Sequence, residues 1–160
     1  MVIGDKAVEE AIAAGKLGVP VVTPPMAATL GLKALGATRI SVLTPYTVET
    51  GRPMADYFAA KGFGIESFTC LGFEDDREMA RITPDALVAL AREATAREAE
   101  ALFVSCTALR GALVTARIED AIGRPVVTSN QASAWQCLRL CGDTGPRPQF
   151  GRLMTLPLPA

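Results

Sequence analysis

The 160-residue sequence contains no histidine, and that absence removes most familiar hydrolytic and metal chemistry. No Ser-His or Cys-His nucleophile pair, no H-E-x-x-H zinc site and no imidazole acid or base can be assembled. Catalysis would have to run on thiol, hydroxyl, carboxylate or backbone groups. No apolar stretch approaches the ~20 residues needed to cross a bilayer, and Met1 to Gly18 lacks the pattern of a secretory signal. The expected location is the cytoplasm, with no membrane partner. Surplus charge is missing too: 16 Lys+Arg stand against 17 Asp+Glu, a formal net charge of −1, whereas nucleic-acid binding calls for a basic surplus. A small molecule or a protein is the expected partner. The four cysteines, Cys70, Cys106, Cys137 and Cys141, form no C-x-x-C pair and are too few for a disulfide scaffold, so they read as free thiols. Phosphate loops are absent as well. There is no G-x-x-x-x-G-K-[ST], and "GFGIES" (Gly62 to Ser67) lacks a third glycine and precedes a strand instead of following one.

What the chain does have is alternation. "GVPVVT" (Gly18 to Thr23), "RISVLT" (Arg39 to Thr44), "GIESFTC" (Gly64 to Cys70), "ALFVSC" (Ala101 to Cys106) and "RPVVTS" (Arg124 to Ser129) are strand candidates, most of them continuously apolar, as strands covered on both faces should be. Helical stretches lie between them: Pro25 to Leu35, Val48 to Lys61, Thr83 to Glu100 and Ala108 to Ile122, with Ser129 to Cys141 after the last strand. The clearest helix start is Thr83-Pro84-Asp85, which offers an N-cap hydroxyl, a proline at the first helical position and an acid in the first turn. The pattern predicts an α/β fold: a parallel sheet of about five strands with helices on both faces and right-handed crossovers. Leu71 to Ile82 reads as a polar, mobile loop, and Gly142 to Ala160, rich in proline and glycine, as an extended tail.

In such a sheet the crevice lies beyond the carboxyl ends of the strands. There the sequence places Thr44 and Tyr46 ("TPYT"), Ser105, Cys106 and Thr107 ("SCT"), and Ser129 and Asn130 ("TSNQ"). Three loops from one sheet edge would converge on one pocket. Cys106, read as standing at the start of a helix, would meet unpaired N–H groups and a partial positive charge that favour a thiolate. Bland readings compete with each of these. Cys106 could be a small buried hydrophobe, Tyr46 a turn aromatic after Pro45, and Ser129 a helix cap. Cys70 has no polar company. Cys137 and Cys141, one turn apart beside Trp135, Leu138 and Leu140, read as core packing, because two thiols without histidine or further cysteines make no zinc site. Glu74, Asp75 and Asp76 read as solvated. Arg110 follows Cys106 too closely for the phosphate loop of a cysteine phosphatase.

"SCTALRG", "VLTPYT" and "RPVVTSNQASAWQCLRLCG", in this order and spacing, resemble the second half of the aspartate/glutamate racemase superfamily, in particular its branch of maleate cis-trans isomerases, arylmalonate decarboxylases and ectoine-utilisation proteins. The likeness covers nearly the whole chain and is weakest after Gly142. It implies cofactor-free chemistry at a carbon next to a carboxylate, on a small carboxylate or dicarboxylate, with two similar α/β halves closing over the substrate. By resemblance Cys106 matches the cysteine that acts as nucleophile or proton donor. Tyr46 matches the tyrosine that hydrogen-bonds the carboxylate, and Thr44, Ser105 and Thr107 fall where hydroxyl or N–H donors would sit. Such donors suit an enediolate-like intermediate, for which losing one typically costs about 2.7 to 4 kcal/mol of barrier.

One departure qualifies the likeness. The family's other cysteine, in a "CTS"-like loop of the first half, has no counterpart here, and Met1 to Gly15 matches the helix after that loop. The resemblance therefore implies a C-terminal portion: residues 1–25 as a remnant of the first domain, 26–128 as a complete second α/β domain, and 129–160 as a helix returning to the first domain followed by the tail. Homo-oligomerisation is expected from the surfaces such a portion leaves exposed. Two other classes remain open at this point, a non-catalytic module that binds a carboxylate through Tyr46, Ser105 and Thr107, and a subunit that acts only after joining a chain that supplies the other half.

Overall fold

The computed structural model describes residues 5–159. Helix α1 (Asp5–Ala13) leads through irregular chain to α2 (Pro24–Ala34), β1 (Arg39–Tyr46), α3 (Val48–Ala60) and β2 (Gly64–Phe73). A four-residue helix α4 (Asp76–Met79), then α5 (Pro84–Ala94), β3 (Ala101–Val104), α6 (Thr115–Ile122), β4 (Val126–Thr128) and α7 (Ser129–Leu140) complete the regular elements. Short 3-10 turns occupy Gly111–Leu113, Pro148–Phe150 and Arg152–Thr155. The four strands form one parallel sheet in the order β2-β1-β3-β4. Among the described residues, then, the sheet has four strands and not five. Gly18 to Thr23 stays irregular, with Val19 46% exposed and Pro20 unable to donate to a ladder.

Alternation along the strands sends side chains to opposite faces. Ile40 and Val42 of β1, Ala101 and Phe103 of β3 and Val127 of β4 pack with Ala28, Leu32, Met54, Phe58 and Trp135 beneath α2, α3 and α7. Leu43, Leu102, Val104 and Val126 point the other way and pack with Leu87, Ala91 and Ile118 of α5 and α6. Helices therefore cover both faces, which is why the central strands read as unbroken apolar runs.

Several helix limits differ from the periodic reading, each for a local reason. The stripe starting at Thr83 does begin a helix, and the Thr83 hydroxyl accepts from the Ala86 N–H. But α5 stops at Ala94 instead of running to Glu100. The Ala96 N–H donates to Ser41 Oγ at 2.9 Å, and Ser67 Oγ donates to the Ala94 carbonyl at 2.6 Å, so serines of β1 and β2 capture the groups that another turn would need. The helix expected over 108–122 begins only at Thr115. Asn130 Nδ2 donates to the carbonyls of Thr107 (3.0 Å) and Leu109 (3.4 Å), which diverts them from intrahelical bonds.

Two further segments are more ordered than composition implied. Leu71 to Ile82 is no simple loop: β2 runs on to Phe73, Asp75 caps α4 by accepting from the Arg77 N–H, and Met79 is 2% exposed. The expected extended tail instead winds into two 3-10 turns and packs back on the domain. Leu153 is fully buried, Trp135 Nε1 and Arg139 Nε donate to the Leu156 carbonyl at 2.9 Å, and Arg139 Nη2 donates to the Met154 carbonyl at 2.7 Å. Cys137 and Cys141 are exposed, not core. The inward face of α7 is Ala132, Trp135, Gln136 and Arg139, a helical period that leaves both thiols outside. All four cysteines are free. No helix among the described residues is long and apolar enough to cross a membrane.

Candidate active site

β1 connects to β2 on one side and β3 lies on the other, so the strand order reverses between β1 and β3. In open parallel sheets the crevice outside the carboxyl ends at this switch is where ligands bind. A cleft of about 430 Å³ lies there, lined by Tyr46 at the end of β1, by Ser105, Cys106 and Thr107 after β3, and by Ser129 at the start of α7. Its walls are apolar: Pro24 and Pro25 of α2, Pro53, Met54 and Phe58 of α3, and Phe103 of β3. Thr50 of α3 adds a hydroxyl. Among the described residues no cationic side chain lines it. An anionic group could be held there only by N–H and hydroxyl donors.

The chain reaches this position in a strained way. Ser105 N–H still continues the ladder to the Leu43 carbonyl at 2.8 Å, and the next residue, Cys106, has φ +93°. Among the described residues it is the sole non-glycine at positive φ, a conformation that costs of order 1–3 kcal/mol and tends to cluster at functional sites. The turn puts the sulfur at the cleft while leaving Cys106 only 6% exposed. The helix N-terminus expected at Cys106 is not there, because the chain from Thr107 to Arg110 bends without forming one. Local donors stand in its place. The Ala108 N–H donates to Cys106 Sγ at 3.3 Å, and the Tyr46 hydroxyl interacts with the same thiol. The Tyr46 phenol is pushed far above its ordinary range, first by burial, then by the bond to Cys106 and by the charges of Cys106 and Asp76. It stays a donor.

Of the seven sequence-derived positions, Tyr46, Ser105, Cys106, Thr107 and Ser129 meet at the cleft. Thr44 does not line it. That residue is fully buried, and its Oγ1 accepts from the Tyr46 N–H at 3.4 Å, supporting the turn that carries the tyrosine. Asn130 also stands behind the cleft, tying down the loop after Cys106. Ser129 is not the cap of α7. Thr128 fills that role in a reciprocal capping box with Gln131, leaving Ser129 at the first helical position. The sequence did not single out Thr50, Met79 or the apolar wall. Thr50 lies only four residues beyond Tyr46 on the same loop-to-helix passage, which was the available signal. Met79 had none, because it sits in a segment read as polar loop.

A parallel α/β domain that opens a thiol-bearing, apolar-walled cleft at its switch point is the frame of a small-molecule enzyme or binding protein. The chain belongs to the arylmalonate decarboxylase family, whose model matches residues 5–154, and with it to the maleate isomerase branch of the aspartate/glutamate racemase superfamily. It is 31% identical to the arylmalonate decarboxylase of Bordetella bronchiseptica over 85% of this chain and 58% of that protein. Identity to the maleate isomerase of Nocardia farcinica is 30%, over 94% of this chain and 60% of that one. A solved structure of the Nocardia farcinica maleate cis-trans isomerase, a cysteine-to-serine mutant with a covalently bound succinylcysteine intermediate, superposes with a TM-score of 0.82 at 28% identity, covering 94% of this chain and 63% of the other. The chain thus spans about 60% of the length of the curated relatives it matches.

Proposed function

We propose that this chain carries the thiol-bearing half of a cofactor-independent enzyme that works on the carbon next to a carboxylate, with Cys106 as the reacting group. The observation that carries this reading is the Cys106 sulfur, held at positive φ at the sheet's switch point with Tyr46 and Ala108 as donors. Cis-trans isomerisation of a small dicarboxylate is the first form of it. The thiolate adds to one alkene carbon, the π pair moves into the adjacent carboxylate as an enediolate, the new single bond rotates, and collapse of the enediolate expels the thiolate. Hydroxyl and N–H donors at Tyr46, Ser105, Thr107 and Ser129 would hold the carboxylate oxygens.

A second form is favoured by the apolar wall of Pro24, Pro25, Pro53, Met54, Phe58 and Phe103 and by the lack of a lining cation. Such a cleft suits a substrate with an apolar substituent, and it can hold one of two carboxylates better than both, so that the second is the one to leave. In decarboxylation of a substituted malonate, the C–C bonding pair left by departing CO2 becomes an enediolate, and the Cys106 thiol protonates that carbon.

The test supplies maleate and an arylmalonate in turn, following fumarate and CO2. It uses the chain alone and a chimera in which the chain is joined to the part of a curated relative that it does not match. Turnover of either substrate that falls at least about 10²-fold on Cys106→Ala supports the proposal. Turnover indifferent to Cys106, or none in the folded chimera, refutes it.

A further inference from the structure

Beyond Tyr46 and Ala108, Cys106 Sγ has a third polar neighbour. The third is the thioether of Met79, whose Sδ lies 3.9 Å from Cys106 Sγ. The first two neighbours, Tyr46 and Ala108, have protons to give. Met79 has none and can only accept. A neutral thiol owns one proton, so the geometry divides the surroundings of the sulfur: lone pairs toward Tyr46 and Ala108, the S–H toward α4. We infer that Met79 is a positioning residue that accepts the Cys106 S–H and so sets where the resting thiol keeps its proton. The inference rests on the reading of Cys106 as the reacting group, and it assigns a task to a segment that the sequence presented as solvated loop.

The structure gives Met79 the means to hold that place. Its helix is only four residues long, but Asp75 caps it by accepting from the Arg77 N–H at 2.8 Å, and Met79 N–H donates to the Asp75 carbonyl at 3.2 Å. The side chain packs in the core cluster that also holds Cys106, Leu43, Leu87, Leu102, Val104 and Leu109, and is 2% exposed. Water has little access to compete for the S–H. An unbranched, polarizable side chain suits a weak sulfur acceptor in such a gap. The titratable groups that act on this surround are Tyr46 from β1 and Asp76 from α4; Met79 itself is neutral at every pH.

Accepting the S–H favours the protonated thiol, and the Met79 lone pairs face a thiolate without stabilising it. Met79→Leu keeps the volume and removes the acceptor, so the Cys106 sulfur should react faster with an electrophile. The experiment is alkylation of Cys106 by iodoacetamide across pH, resolved by peptide mass spectrometry, with the exposed Cys137 and Cys141 as internal standards. The expected result is an alkylation rate at neutral pH about three-fold above the parent, the scale of one weak sulfur hydrogen bond, merging with the parent at high pH. A purely structural Met79 would leave the profile where it was, and an unchanged or slower rate overturns the inference. A second measurement holds even if Met79→Leu does not fold. The S–H stretching band of Cys106 in the parent, isolated by Raman difference against Cys106→Ser, should sit at the lowered frequency of a bonded thiol, and a free-thiol frequency overturns the assignment. Neither readout needs turnover, so their failure is separable from failure of the proposed activity.

Discussion

Replacing Tyr46 by phenylalanine removes one oxygen and leaves the ring in place, which makes the loss of a single hydrogen bond readable. That hydroxyl interacts with the Cys106 thiol, which also accepts from the Ala108 N–H. A hydrogen bond to a charged partner contributes about 1.5–3 kcal/mol net. Tyr46 is only half-buried, so water can partly replace the lost donor, and the low end of that range applies. The neutral thiol also loses a bond, a weaker one, which trims the difference between the two protonation states to about 1–1.5 kcal/mol. At about 1.4 kcal/mol per decade, the alkylation rate of Cys106 at neutral pH should fall close to ten-fold. The assay is the rate of Cys106 alkylation, normalised to Cys137 and Cys141 on the outer face of α7. Far-UV circular dichroism should be unchanged, since the ring still packs against the Cys106 cluster. An unaltered alkylation rate in a folded Tyr46→Phe would refute the reasoning and reduce Tyr46 to packing. The direction is opposite to that expected for Met79→Leu, so general loosening of the site cannot mimic both.

Three other outcomes follow from the same geometry. At Gly51 in α3 an added Cβ would stand 3.0 Å from Phe68 Cζ, 3.2 Å from Thr44 Cγ2 and 3.3 Å from Cys70 Sγ; overpacking of about 1–3 kcal/mol should exceed the roughly 1 kcal/mol gain in helix propensity, so denaturant melts of Gly51→Ala should show a net loss, and a gain in stability would refute this. Glu100, accepting from the Thr38 and Arg39 N–H groups and the Thr38 hydroxyl, is held at about 2 against an ordinary 4.5. Its folded form binds the proton less tightly than the unfolded one, so its contribution is present above 4.5 and is lost as pH falls toward 2; Glu100→Gln should flatten acid unfolding in that window, and an identical acid limb would count against it. Light scattering over a concentration series should show self-association of this chain through exposed Leu17, Val19 and Leu140, which are 87%, 46% and 42% exposed, and a monomer at every concentration would rule that out.

Much of this protein could be read directly from residue order. The α/β class and the four sheet strands were legible because strands buried on both faces must be continuously apolar and the helices between them carry caps as plain as Thr83-Pro84-Asp85. That Tyr46, Ser105, Cys106, Thr107 and Ser129 would share one pocket followed from topology alone, since parallel strands end on the same edge. What long-range contacts decided was invisible in any local window. Ser41 and Ser67, on β1 and β2, end α5 where periodicity would extend it. Asn130, 23 residues after Thr107, holds the loop after Cys106 open where a helix was expected. The period of α7 alone did not say which stripe would be covered, and the packing chose Trp135 and Arg139 over Cys137 and Cys141. Met79 lay among acids and reached the thiol only because α4 folds under it. Local sequence sets which conformations a segment prefers, whereas a hydrogen-bond partner dozens of residues away decides which preference is kept, and here those distant partners determine what surrounds the Cys106 sulfur.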